Sequence, residues 1–163
     1  MTKMTAIIPK RVVIDTNVCL DLFVFKDPRW SVLLEELGNG AIHAITRNDC
    51  RDEWLAVLNY PHLSARHDSA ELVTAVFDRH ITCITPAETS SYKLPICSDK
   101  DDQKFLEIAR DTQAEVLITK DKALLKLARK IRQAGMFRIE TPEQFLKTYV
   151  KECDKTASGP TKE

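Results

Sequence analysis

Acidic residues at four places carry most of the chemistry that this 163-residue sequence offers. Asp15 ends the apolar run Val12-Val13-Ile14, and Asp121 closes Val116-Leu117-Ile118-Thr119-Lys120-Asp121. Asp99 and Asp102 bracket the run Asp99-Lys100-Asp101-Asp102 just before Phe105-Leu106, and Glu53 lies in Asp52-Glu53-Trp54-Leu55. Each has an ordinary structural role open to it. Asp15 can end a strand in a turn, and Asp121 can begin a helix and complement its dipole. Ser98 or Asp99 can cap a helix whose first turn holds Asp101 and Asp102, while Glu53 can be a solvated helix residue. Together they mean something else. Carboxylates that converge raise one another's pKa, and such a pocket is comfortable only with cations in it. Hard oxygen ligands without paired His or Cys point to Mg²⁺ or Mn²⁺ rather than zinc.

Whether they converge depends on the elements that carry them. Short, β-branched, mostly apolar runs at 12–14, 42–46, 81–85, 116–119 and 137–139 read as strands covered on both faces. Amphipathic helices are expected between them. One starts at Asp27-Pro28 and stops at Gly38; another spans 48–59 and stops at Tyr60-Pro61. Further helices are expected over 68–79, 101–112, 121–134 and 142–152. The alternation argues for a three-layer α/β/α sandwich with a mostly parallel sheet of about five strands. In such a sheet ligands bind beyond the carboxyl ends of the strands, where Asp15 and Asp121 fall. Residues 86–98 form the loosest internal stretch, and 153–163 read as a disordered tail.

Composition removes several function classes. The 44% hydrophobic and 29% charged content is that of a globular domain, and no apolar run reaches the ~18 residues of a membrane span. The first ten residues lack the apolar centre of a signal peptide, so a cytoplasmic protein is expected. The five cysteines are scattered, with no zinc or CxxC spacing, and read as reduced and mostly buried. The four histidines match no motif, and Trp30 and Trp54 read as core or interface. Formal net charge is zero, so nucleic-acid contact has to come from a local patch. Lys122, Lys126, Arg129 and Lys130 lie at helical spacing beside Asp121, opposite Leu124, Leu125, Ala128 and Ile131. They are either a solvated face or a track for RNA phosphates, with Lys3, Lys10 and Arg11 as the other candidate track.

VIDTNV, Glu53 in DEWLAVLNYP, DKDDQKFLEIA and VLITKDKALL occur in an order and spacing that resemble a PilT N-terminal (PIN) domain. The closest subgroup is that of toxin components of toxin–antitoxin systems similar to VapC toxins. The resemblance covers roughly residues 10–140 and implies a five-stranded parallel α/β/α fold, with one nuclease domain over 1–152. It implies that Asp15, Glu53, Asp102 and Asp121 are catalytic and bind Mg²⁺ or Mn²⁺. Asp99 competes with Asp102 for the third place, because it occupies the first position of the subgroup's DPxD pattern. Asn17 and Thr119 take supporting, hydrogen-bonding roles. Lys100 stands where the subgroup often has proline.

The implied activity is endoribonuclease cleavage to a 3′-hydroxyl and a 5′-phosphate, by one metal or two. Glu53 either completes the ligand shell or orients the attacking water as a general base. Implied partners are an RNA substrate, a cognate antitoxin segment across the acidic groove and a second copy of the chain. The apolar residues Trp30, Leu33, Leu34, Leu37 and Trp54 point to that homodimer as well. The non-enzyme alternative is a degenerate PIN domain that binds RNA or protein. A haloacid-dehalogenase-type phosphatase needs a second acid where Asn17 stands, and a receiver domain needs paired acids before its first helix.

Overall fold

In a computed structural model, which describes residues 10–64, 66, 67, 69–86 and 90–158, the chain forms one five-stranded parallel sheet with helices on both faces. In chain order the elements are β1 (Lys10–Ile14), α1 (Thr16–Phe23), a 3₁₀ turn (Pro28–Trp30), α2 (Ser31–Gly38), β2 (Ile42–Thr46) and α3 (Asn48–Leu58). There follow α4 (Pro61–Ser64), α5 (Ala70–His80), β3 (Ile81–Cys83), a second 3₁₀ turn (Lys100–Asp102) and α6 (Gln103–Asp111). The chain closes with β4 (Val116–Ile118), α7 (Lys122–Leu125), α8 (Ala128–Gln133), β5 (Arg138–Glu140) and α9 (Pro142–Ser158).

Strand order is β3-β2-β1-β4-β5, so the chain steps outward on one side of β1, then returns to lay β4 against its other side. β1 is central, and Val12, Val13 and Ile14 are all at most 5% exposed, which explains a run apolar on both faces. Alternation sends Val12 and Ile14 into a core under α1, α2 and α5, while Val13 enters a second core under α6, α7 and α8. β4 divides likewise, with Val116 and Ile118 in the first core and Leu117 in the second. The point where strand order reverses, between the carboxyl ends of β1 and β4, is where an open α/β sheet has its crevice.

Three local departures from the sequence reading have physical causes. α1 is not among the helices expected from the sequence, and the β-branched Thr16 and Val18 give it weak propensity. It forms because Val18, Cys19, Leu20, Leu22 and Phe23 are all buried, so tertiary packing overrides weak propensity. Pro61 begins α4 rather than only ending α3, since proline suits the first helical position. The expected helix over 121–134 breaks into α7 and α8: the Leu127 amide donates to Leu124 O (2.9 Å), a tighter turn that interrupts the α ladder. At the end of the chain, α9 runs to Ser158 and takes in the start of the stretch expected as tail; 159–163 lie outside the described residues.

Four of the five apolar residues read as a surface for a second copy are in fact core, and the fifth, Leu34, is half-buried against it. Trp30, Leu33, Leu37 and Trp54 are all at most 8% exposed, and Trp54 stacks on Phe77 with 4.8 Å between ring centroids. The sheet face under α1, α2 and α5 needs them, so they give no ground for an interface.

Candidate metal centre

Asp15 leaves β1 at the sheet's reversal point and is only 2% exposed. Its amide donates to Ile118 O (3.0 Å), and its carbonyl accepts the Val18 and Cys19 amides at the start of α1 (3.0 Å each). The side chain does not cap that helix. Instead Oδ2 accepts a 2.6 Å hydrogen bond from the Thr119 hydroxyl, whose oxygen in turn accepts the Asp121 amide (2.9 Å). Thr119 is fully buried, so one hydroxyl locks two acids from neighbouring strands into register. Asp121 caps α7, with Oδ1 accepting the Ala123 amide at 2.8 Å.

The third component arrives by the 3₁₀ turn before α6. Asp99 caps this turn, its Oδ1 accepting the Asp101 amide at 3.0 Å. Gln103 ties the preceding loop to the turn: Oε1 accepts the Cys97 amide (2.7 Å) and Nε2 donates to Pro95 O (3.1 Å). Asp102 thereby turns inward and is 6% exposed, with Oδ2 buried and lacking a hydrogen-bond partner. One carboxylate oxygen from each of Asp99, Asp102 and Asp121 lies within 4.8 Å of the others. Among the described residues this is the one group of three or more His, Cys, Asp or Glu ligands so disposed. Asp99 and Asp102, alternatives in the sequence, both belong to it.

Burial and like charge resist ionisation here. Burial pushes the Asp15 carboxyl up to about 6 despite the Thr119 hydrogen bond, and the charges of Glu53 and Asp121 push the same way. Asp102 rises to about 8, first from burial, then from its contact with the Asp121 carboxylate and the charges of Asp15, Asp121 and Asp99. A buried carboxylate oxygen without a donor costs free energy unless a cation or proton meets it.

Glu53 stands slightly apart. α3 lies across one end of the sheet, with Trp54 and Leu58 in the first core and Cys50 in the second. Its Oε1 accepts a 2.6 Å ion-paired hydrogen bond from Lys104 Nζ, which also contacts Asp101 O. The negative charge of Glu53 still reaches Asp15. Lys104 was not singled out from sequence, although it lies in the quoted DKDDQKFLEIA; nothing local marks a pairing across 51 positions. A second unforeseen pair joins the outgoing end of β4 to α1, where Lys120 Nζ lies 2.6 Å from Oδ2 of the buried Asp21.

The structure thus brings Asp99, Asp102 and Asp121 together, joins Asp15 to Asp121 through Thr119, and places Glu53 beside Asp15 on Lys104. Asn17 is exposed on the first turn of α1. Lys122, Lys126, Arg129 and Lys130 are all exposed, on α7, the turn after it and α8. Lys10 and Arg11 start β1, at the far edge of the sheet; Lys10 pairs with Glu115 and Glu152, and Arg11 donates to Thr112 O. They make no track past the crevice, and Lys3 lies outside the described residues. His43, His67 and His80 are hydrogen-bonded to Thr82, Leu58 and Val76, away from the acids.

The donor set fits a hard divalent cation: all oxygen, partly buried, with one orphaned carboxylate oxygen and raised pKa values that a cation would relieve. The chain also has a family signature. The family model described as PIN domain matches residues 11–123, a span from β1 through Asp121 that takes in all five acids. A search of curated proteins found no match.

Proposed function

The chain belongs to the PIN domain family, and from that premise and the acidic crevice we propose that it is a divalent-metal-dependent endoribonuclease, the toxin of a type II toxin–antitoxin pair. PIN domains are generally nucleases, hydrolases of phosphodiester bonds, and typically use divalent metals. One observation carries the reading. Three carboxylate oxygens from two separate elements meet within 4.8 Å at the reversal point of the sheet, with a fourth acid hydrogen-bonded to the same threonine.

Asp99, Asp102 and Asp121 would hold Mg²⁺ or Mn²⁺, with Asp15 beside them. The cation would supply Lewis-acid charge for the phosphodiester and make water acidic enough to be a nucleophile near neutral pH. The residues of the chain do the rest. Thr119 holds Asp15 in one rotamer and fixes the Asp121 backbone, so neither ligand has to be reorganised during the reaction. Lys104 occupies Oε1 of Glu53 and leaves Oε2 to accept a hydrogen bond from the attacking water and orient it. The water oxygen forms its bond to phosphorus as the bond to the 3′-oxygen breaks. The attacking water gives up its proton to Glu53 and so to solvent, and the departing 3′-oxygen takes one up from solvent, giving a 3′-hydroxyl and a 5′-phosphate. Lys122, Lys126, Arg129 and Lys130 supply exposed positive charge along the outgoing side of Asp121 for the RNA backbone.

A second reading has one observation in its favour. Lys104 already neutralises Glu53, as a binding module without metal would require. Purified protein incubated with single-stranded RNA separates the two. The enzyme reading predicts cleavage with Mg²⁺ or Mn²⁺ that stops in EDTA. Cleavage that persists in chelator sinks the metal mechanism, and RNA binding without cleavage under any divalent cation supports the module. The antitoxin segment across the acidic crevice, the homodimer and the cytoplasmic setting belong to the same proposal. With the tryptophans buried, the dimer would have to use exposed apolar residues such as Phe25, Val32 and Leu72. A strictly monomeric mass by light scattering at micromolar concentration counts against it.

A further inference from the structure

We propose that a basic cleft between α8 and β5 is a phosphate-binding subsite that grips the nucleic-acid backbone beside the acidic crevice. The inference rests on the nuclease reading for its biological use, though not for its chemistry. Lys126, Arg129, Arg132 and Arg138 line this cleft of about 280 Å³ with Glu140, over a floor of Leu125, Ala128 and Ile139. Four cations face one carboxylate. That carboxylate is engaged at one oxygen: Glu140 Oε2 accepts Arg138 Nε at 3.1 Å while Oε1 is buried without a hydrogen-bond partner, and the terminal amino groups of Arg138 are left for another acceptor. Among the described residues the side chains of Lys126, Arg129 and Arg132 have no carboxylate partner, whereas Arg47, Arg51 and Arg110 are each paired with an acid. Unpaired cations converging on a concavity are a site for an anion, and guanidinium forks suit phosphate oxygens.

Size and position say which anion. The volume lies just below the usual range for small-molecule pockets, so the cleft suits a short piece of backbone, a phosphate with its sugar, rather than a larger ligand. Glu140 pairs with Ile118 in the sheet, and its carbonyl accepts the amide of Thr119, the residue that locks Asp15 and Asp121. Lys126 follows Asp121 by five positions, about 7 Å of helical rise. One strand held on the cleft therefore passes the acidic crevice within a nucleotide or two. The cleft also refines the basic patch legible in sequence. It takes Lys126 and Arg129 from that patch, adds Arg132 and Arg138, and leaves Lys122 and Lys130 outside.

The test is fluorescence polarisation with a labelled single-stranded RNA in EDTA, its integrity checked on a gel, at several salt concentrations. Arg129→Glu/Arg132→Glu should weaken binding by about tenfold or more and reduce the salt slope by about 1 to 2. Lys93→Glu/Lys147→Glu, with the same charge change outside the cleft, should bind several times more tightly than the cleft variant. Circular dichroism reports whether both fold, and Mn²⁺ affinity of the cleft variant should match wild type. Equal loss in both double variants, or no loss in the cleft variant, overturns the subsite. The wild-type cleavage assay stands apart from this. Cleavage with a dispensable cleft rejects the subsite and keeps the nuclease. Binding through the cleft without cleavage keeps the subsite and rejects the nuclease, and a wild type that neither binds nor cleaves rejects both.

Discussion

The acidic crevice opens at the carboxyl ends of β1 and β4 and the basic cleft runs along the outer strand β5 of the same sheet, yet they are built in opposite ways. The crevice is assembled from buried backbone. Asp15 and Asp102 are nearly sealed from solvent, Thr119 is fully buried, and the side chains of Asp15, Asp99 and Asp121 are fixed by hydrogen bonds from a hydroxyl or from backbone amides. The cleft is assembled from long side chains, exposed on α8 and the turn before it and half-buried on the edge strand β5. A site that must present charge at fixed positions needs rigidity and accepts the cost of burying like charges. A surface that tracks a flexible polymer needs only charge density, screened and adjustable. A formal net charge of zero conceals both.

Substitutions should break this contrast in a graded way. Asp121→Asn or Asp102→Asn should have the largest effect, lowering metal-dependent cleavage on the order of 10²–10³-fold. Asp99→Asn should cost less, since Asp99 is exposed and also caps a turn. If Asp99→Asn is the worse of the two in cleavage rate, the centre of the site shifts by one turn. Next comes Thr119→Val, which removes the hydroxyl joining Asp15 to Asp121 while keeping the volume. Metal affinity by calorimetry should fall by about 10- to 100-fold. An unchanged affinity would mean that the hydroxyl positions nothing. Smaller still is Lys104→Gln, which deletes a cation beside the acids. Mn²⁺ should bind about threefold to tenfold more tightly, while cleavage slows because Glu53 loses its anchor. Weaker Mn²⁺ binding would show that Lys104 is needed to build the site rather than to restrain Glu53.

The same contrast has a pH signature. Folding raises the pKa of Asp15 to about 6 and of Asp102 to about 8, from an ordinary 3.8. Groups raised in the folded state favour folding fully below the unfolded value, and that contribution disappears as pH climbs through the folded one. The metal-free protein should therefore lose this part of its stability between about pH 4 and 8. Bound Mn²⁺ competes with those protons, so the gain in melting temperature from Mn²⁺ over EDTA should grow across the same range. A gain that is flat or shrinks with pH would separate the cation from these carboxylates.

How much of this could be read from the sequence follows from which interactions are local. Val12-Val13-Ile14 is apolar on both faces because β1 is central, so strand and acid were legible together. The periodic faces of α2, α3 and α5 were legible for the same reason. α1 was not, because its helicity comes from burial of Val18, Leu22 and Phe23 rather than from propensity. Asp15, Asp99, Asp102 and Asp121 were legible as acids because each follows or opens an element with a clear pattern, whereas Glu53 lies inside α3. The choice between Asp99 and Asp102 was not, since a 3₁₀ turn carries both residues to the same group. Lys104 on Glu53, Lys120 on Asp21 and Arg138 in the cleft depend on tertiary placement, which no local spacing records.

The central claim is that Asp99, Asp102 and Asp121 form a divalent-cation site, and calorimetric titration of the metal-free protein with Mn²⁺ tests it without reference to substrate. Wild type should bind saturably at pH 7.5 and distinctly more weakly at pH 5.5, where protons hold Asp102 and much of Asp15. Asp121→Asn, checked by circular dichroism for a native fold, should bind at least about tenfold more weakly. Absence of saturable binding by the folded wild type, or binding that Asp121→Asn leaves untouched, would contradict the assignment.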